Sequence, residues 1–168
     1  MQNIISAHNK SVLNKEAHNS PATAKECNCH RKENCSLSGK GQITSIVYQA
    51  TVEREESGEE KSYVGLTEGP FKTRFNNHTS SFRNPQHKHA AELSTYIWNL
   101  KESDTPYSIK WRIIKQCRPY SNSTKRCKLC FYEKFVIICP PELSSLNTRN
   151  ELISTCRHRK KQLLRWHI

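Results

Sequence analysis

The chain predicts a small α+β domain, with a three-stranded antiparallel-type sheet flanked by helices, and three observations predict it. Two runs rich in β-branched and aromatic residues, 43–52 and 61–66, lie on either side of a charged turn. Two helical-period segments follow, the second over 90–102, and then an alternating run at 107–115. A more apolar helical segment, 127–138, comes last. The order strand, strand, helix, helix, strand, helix stacks helices against one sheet.

Each element has a local reason. Ile43 to Val52 reads as the first strand, and Glu53-Arg54-Glu55-Glu56-Ser57-Gly58-Glu59-Glu60 as a hairpin turn around Gly58. Lys61 to Leu66 returns as the second strand. Gly69-Pro70 opens a helix, with Pro at a tolerated first-turn position. Phe71, Phe75, His78 and Phe82 then share one face, and Asn84-Pro85 ends the helix. Leu93, Tyr96, Ile97 and Leu100 mark the second helix. Tyr107, Ile109, Trp111 and Ile113 alternate with polar neighbours as the third strand. The third helix, Cys127 to Ile138, is stopped by Pro140-Pro141. Residues 148–156 read as a further short helix. Around this domain, 42–156, we expect a disordered segment at 1–26, a Cys-rich knuckle-like segment at 27–41 and a basic tail at 157–168.

Composition narrows the class. The 168 residues carry 27 Lys and Arg against 15 Asp and Glu, a net charge of +12, with only 35% hydrophobic residues and a mean hydropathy of -0.82. Five glutamates and Arg54 fall within 53–60. The rest of the chain therefore holds 26 basic against 10 acidic residues, or +16. A basic surface with its acids gathered at one loop suits a polyanion, because neutralised phosphates release counterions. No stretch approaches 18 apolar residues, so no membrane span is expected. Met1 to Ser20 is polar and lacks a signal-like apolar run, so the eight cysteines point to reduced or metal-bound thiols rather than a disulfide scaffold.

Five side chains suggest chemistry. Arg74 and His78 stand four apart on one helix and point to the same side. Glu133 has Leu129, Val136 and Ile137 as its helical neighbours, which puts a carboxylate on an inward face, where it needs a partner or a cation. Tyr48 and Tyr63 come from neighbouring strands. Phosphodiester hydrolysis requires an activated water, a cation on the developing charge and help for the leaving oxygen. Glu133 would hold one metal ion, Arg74 would neutralise the transition state, and Tyr48 would order or deprotonate water with His78 assisting.

In that order the set resembles the GIY-YIG nuclease family. Ile46-Val47-Tyr48 stands for the first motif, with Ile46 in place of its opening glycine, and Tyr63-Val64-Gly65 for the second. Arg74 and His78 match the family's helix, Glu133 its metal-binding acid and Asn147 its late asparagine. The wording is closest to the endonuclease domain of Penelope-like retroelements. That likeness runs through Lys72-Thr73-Arg74-Phe75-Asn76-Asn77-His78, Glu92-Leu93-Ser94-Thr95-Tyr96-Ile97-Trp98, Lys125-Arg126-Cys127-Lys128-Leu129-Cys130 and Cys156-Arg157-His158. It covers about 27–160. The resemblance implies a Mg²⁺- or Mn²⁺-dependent DNA-nicking enzyme, with Tyr48, Tyr63, Arg74, His78, Glu133 and Asn147 as its catalytic set. It also implies DNA as partner and a parent element whose reverse transcriptase is absent from this chain; with the basic tail, a DNA partner suggests a nuclear location. A catalytically inactive DNA-binding module of the same fold is the alternative.

Cysteine spacing adds two candidate zinc sites. Cys127-x-x-Cys130 with Cys156-x-His158 gives two paired ligand sets, a workable four-ligand site for Zn²⁺. Cys27, Cys29 and Cys35 form a three-ligand candidate, and Gly41 stands where Penelope-like relatives carry a further cysteine. Cys117 and Cys139 read as core or strand-end thiols. Phe71, Phe82, Trp98 and Trp111 read as core rather than base-stacking residues. The tail Arg157-His158-Arg159-Lys160-Lys161 reads as a phosphate contact or a nuclear-import signal.

Overall fold

The structure, a computed structural model, describes residues 4–8, 10–11, 27–29, 33–118, 120–121, 126–148, 156 and 158. Its strands are β1 (Ile46–Arg54), β2 (Glu60–Thr67) and β3 (Tyr107–Gln116), with a small pair β4 (Tyr120–Ser121) and β5 (Arg126–Cys127). Its helices are α1 (Phe71–Ser81), α2 (Glu92–Glu102) and α3 (Lys128–Ile138), with 3₁₀ turns at Pro85–His87 and Pro141–Ser144. The sheet is antiparallel throughout, in the order β2-β1-β3. The expected α+β class and three-stranded sheet are therefore what the chain forms.

Packing explains the sequence pattern of β1. Ile46, Tyr48, Ala50 and Val52 face a core made with Phe71, Phe82, Leu93, Ile97 and Leu100, from α1, its C-terminal end and α2. Val47 faces the other way and packs with Val64 and with Leu129, Val136 and Ile137 of α3. A central strand covered on both faces reads as a continuous apolar run. Burying each Leu or Ile contributes roughly 1.5–3 kcal/mol, so α2 is held mainly by Leu93, Ile97 and Leu100. On β3 the alternation falls as expected, with Tyr107, Ile109, Trp111 and Ile113 all packed against the first core. Phe71 and Phe82 are core residues as well.

Some boundaries shift. β1 starts at Ile46 rather than at 43, because Ser45 takes a positive φ of 54° and a bulge interrupts the β1–β3 register between Val47 and Tyr48. It runs on to Arg54 because Glu53 and Arg54 still pair across to Ser108 and Tyr107. The Cys-rich segment is not a separate knuckle. Leu37 is part of the main core, and Cys35 and Ile43 pack against it. The carbonyls of Ile43 and Gly41 accept from the amides of Phe71 and Lys72, two of the orphan donors that open α1. Lys72 also reaches Asn28, Nζ to Oδ1, at 2.8 Å.

The chain after α3 seals the free edge of β2. Leu146 N donates to Ser62 O at 2.9 Å, and Ser62 N donates to Ser145 Oγ at 2.9 Å. Most of the expected N-terminal segment 1–26, the helix at 148–156 and the basic tail lie outside the described residues. Of residues 1–26, those described, 4–8 and 10–11, are helical and depart from the irregular reading. No helix among the described residues is long and apolar enough to cross a membrane.

Candidate active site and metal centres

Tyr48, Tyr63, Arg74 and His78 meet on the α1 side of the sheet. Tyr48 pairs with Gly65 and Tyr63 with Ala50, so the two rings are neighbours on one face. A Cβ on Gly65 would come 2.5 Å from Tyr48 Oη, too close to exist without movement. The glycine of Tyr63-Val64-Gly65 thus makes room for the Tyr48 ring. Its letter was legible in the motif, but its reason needed the strand register. Ile46, where the resembling family has glycine, is fully buried in the same core and leaves the Tyr48 geometry intact.

One hydroxyl ties the group together. Arg74 Nε–H donates to Tyr48 Oη at 3.1 Å, and Tyr48 Oη lies 2.8 Å from His78 Nε2. With its oxygen already accepting from Arg74 and no solvent at hand, the phenol satisfies both groups by donating its proton to Nε2. His78 is boxed by the rings of Trp111 at 5.6 Å, Tyr63 at 5.7 Å, Tyr48 at 6.0 Å and Phe82 at 6.2 Å. Burial, then the charge of Arg74, pushes the imidazole down to about 4, so it is neutral at pH 7. Burial, and after it Tyr63, raises the Tyr48 phenol, while Arg74 opposes. Burial likewise raises Tyr63, again against Arg74.

Glu133 belongs to this neighbourhood. It is 7% exposed, and its charge acts on both tyrosines, raising each. The inward placement expected from Leu129, Val136 and Ile137 is what the helix adopts. Lys134 beside it is buried too.

The surroundings of three expected site residues bear on their roles. Tyr48 is 0% exposed and His78 3%, so both stand behind Tyr63 and the partly exposed Arg74, and neither meets bulk water. With its phenol raised, Tyr48 is no resting phenolate base. Asn147 bonds the backbone of β2: its Oδ1 accepts from Val64 N at 2.8 Å and its Nδ2 donates to Val64 O at 2.9 Å. Both halves of its amide act as a strand partner for the edge of β2.

Two thiol groups are gathered closely enough to hold a metal ion. Cys127, Cys130, Cys156 and His158 bring their ligand atoms within 4.8 Å of one another. His158 Nδ1 lies 3.4 Å from Cys127 Sγ, 3.2 Å from Cys130 Sγ and 3.8 Å from Cys156 Sγ, and the sulfurs of Cys130 and Cys156 are 3.6 Å apart. A tetrahedron with Zn–S near 2.3 Å and Zn–N near 2.0–2.1 Å has edges of about 3.5–3.8 Å. The other ring nitrogen of His158 stands 3.9 Å from Glu68 Oε2, a carboxylate placed to orient the ring. Cys130 N donates to Cys127 Sγ at 3.4 Å, which also caps α3.

Cys27, Cys29 and Cys35 form the second group, with sulfurs 2.9 Å and 3.6 Å apart in sequence order. A Cβ on Gly41 would sit 2.6 Å from Cys27 Sγ, so Gly41 borders the corner where a fourth ligand would stand. Cys117 ends β3 half-buried, as expected. Cys139 is exposed at the end of α3 and is not a core thiol. The pattern of the sequence also hid Phe131 and Phe135, which are the exposed aromatics of α3.

Compared with family models, curated proteins and solved structures, the chain matches none.

Proposed function

We propose that this chain is a metal-dependent DNA endonuclease of the GIY-YIG type, derived from a Penelope-like retroelement. The observation that carries this reading is the buried line Arg74–Tyr48–His78, with Tyr63 and Glu133 beside it. A guanidinium, a doubly bonded phenol and a neutral imidazole make a proton path ending beside a fixed positive charge.

Arg74 is the charged member of this line that reaches the surface, and its planar fork suits a phosphodiester oxygen. It stays protonated, its pKa lifted by Tyr48 and Tyr63 although burial works against it. A proton leaving the attacking water would be taken up at Tyr48 Oη as the phenol passes its own to His78 Nε2, a transfer that requires Tyr63 and Arg74 to shift and admit one water to the buried hydroxyl. The water becomes hydroxide, Tyr48 is restored and the imidazole holds the charge. Glu133, a hard oxygen donor, would hold Mg²⁺ or Mn²⁺. When bound there, the cation supplies Lewis-acid stabilisation to the phosphoryl and leaving oxygens. The Cys127, Cys130, Cys156 and His158 set is assigned to Zn²⁺, with the Cys27, Cys29 and Cys35 group as a weaker site. A DNA partner and the basic run Arg157-His158-Arg159-Lys160-Lys161 of the sequence support a nuclear location.

A second reading, a DNA-binding module without cleavage, is favoured by the full burial of Tyr48 and His78. Supercoiled plasmid with Mg²⁺ separates the two. Cleavage predicts nicked circles that fall about 100-fold or more in Arg74→Ala, Tyr48→Phe and Glu133→Gln, with plasmid binding retained. Equal retardation by all four proteins and no nicking would leave only the binding module.

A further inference from the structure

We infer that the outward face of α3 is a stacking platform for unpaired nucleobases, separate from the hydrolytic line on the α1 side of the sheet. Phe131 is 58% exposed and Phe135 42%, the exposed large aromatics among the described residues. Their rings lie 6.4 Å apart and 24° from parallel, and Tyr132 flanks Phe135 at 6.2 Å. Large apolar side chains held in register on one helix face mark a contact surface rather than scattered exposure.

The charge around the pair selects the occupant. Lys128, one turn before Phe131 and Tyr132, is exposed on the same face, and Arg126 is exposed just ahead of it. Lys115 is exposed near the end of β3. Burial raises the thiol of Cys117, and Lys115 and Lys128 both lower it. The one carboxylate of α3, Glu133, is turned inward. An aromatic pair beside cations, with no acid among the exposed residues of its helix, fits a polyanion carrying flat rings: nucleic acid rather than a cationic or purely apolar partner.

Spacing selects the unpaired form. An i to i+4 step on a helix rises about 6 Å. That is nearly twice the roughly 3.4 Å base step of a stacked strand. Successive bases of an extended single strand can each meet one phenyl face, whereas a duplex keeps its faces covered. Base–aromatic stacking is tolerant of sequence, so the platform would grip displaced strand without reading it.

The test uses the full chain in Mg²⁺-free buffer, so that cleavage plays no part, with fluorescein-labelled oligothymidylate and a blunt DNA duplex as probes in anisotropy titrations. Phe131→Ala/Phe135→Ala should weaken oligothymidylate binding by about tenfold or more and duplex binding by less than about twofold. The salt slope should not change, because no phosphate contact is removed. Phe131→Leu/Phe135→Leu keeps the apolar area and loses the ring faces, and it should behave like the alanine pair. Leucine binding equal to wild type would overturn stacking. So would parallel losses on both probes, or sedimentation showing a wild-type dimer that the substitutions dissociate, which would assign the face to a second copy. Nicking in the plasmid assay is a separate readout and does not decide this one.

Discussion

His78 carries the electrostatic consequence in the site that falls nearest to neutral pH. Its folded value of about 4 lies below the ordinary 6.5, through burial first and Arg74 second. An unfolded chain therefore takes up a proton that the native chain refuses. The sign follows: stability is fully present above about pH 6.5 and drains as pH falls toward 4, by about 2 kcal/mol at pH 5. Urea denaturation of wild type and His78→Gln at pH 7 and pH 5 reads this directly. Wild type should lose more stability between the two than the variant, by about that amount, and parallel losses would reject the neutral-imidazole assignment. How far this residue was legible depended on distance along the chain. The four-residue spacing of Arg74 and His78 lies within one helix and showed itself at once. The aromatic box did not, since Trp111 joins it from a strand 33 positions on. Gly65 was legible as a letter and opaque as a cause, because the clash it avoids is with a residue on another strand.

At the scale of elements, the irregular segment that follows α3 and the turn Pro141–Ser144 acts as an edge seal. Residues 145–147 bond along the outer edge of β2 and use one side chain, Asn147, as a surrogate backbone. Asn147→Ala removes two hydrogen bonds and leaves the Val64 amide and carbonyl unpartnered. The expected cost is about 2 kcal/mol in chemical denaturation, with faster hydrogen exchange at Val64. A purely catalytic asparagine would leave both unchanged. The sequence signalled the six larger elements through periods of 2 and 3.6, and their ends through Pro70, Asn84-Pro85 and Pro140-Pro141. It was silent on β4 and β5, whose two residues each are too short to carry any period. It was silent as well on the edge seal, where the bonding groups are 83 positions apart.

For the whole molecule, charge and metal decide the behaviour. The acids of residues 53–60 sit at the tip of the β1–β2 hairpin, where Glu59 pairs with Arg54 at 2.8 Å and Lys61 at 3.2 Å, and Glu53 with Lys110 at 2.6 Å. Tyr48 lies five residues back along β1 from Glu53, roughly 17 Å at strand rise, so the negative tip is held away from the site. The four-ligand cluster joins the start of α3 to residues 156 and 158 and, through Glu68, to the end of β2. Purified protein should contain about one zinc per chain at this cluster, and Cys127→Ser should lose it and melt at a lower temperature, since ligand-set assembly is coupled to folding. Metal analysis with thermal denaturation checks both, and an unchanged melting temperature would reduce the cluster to unmetallated thiols. The helix bearing Arg74 and His78 starts on carbonyls lent by Gly41 and Ile43. A fragment trimmed to the boundary suggested by composition, at residue 42, would thus leave that helix without one of its anchors; the smallest self-sufficient unit reaches back through the cysteine loop.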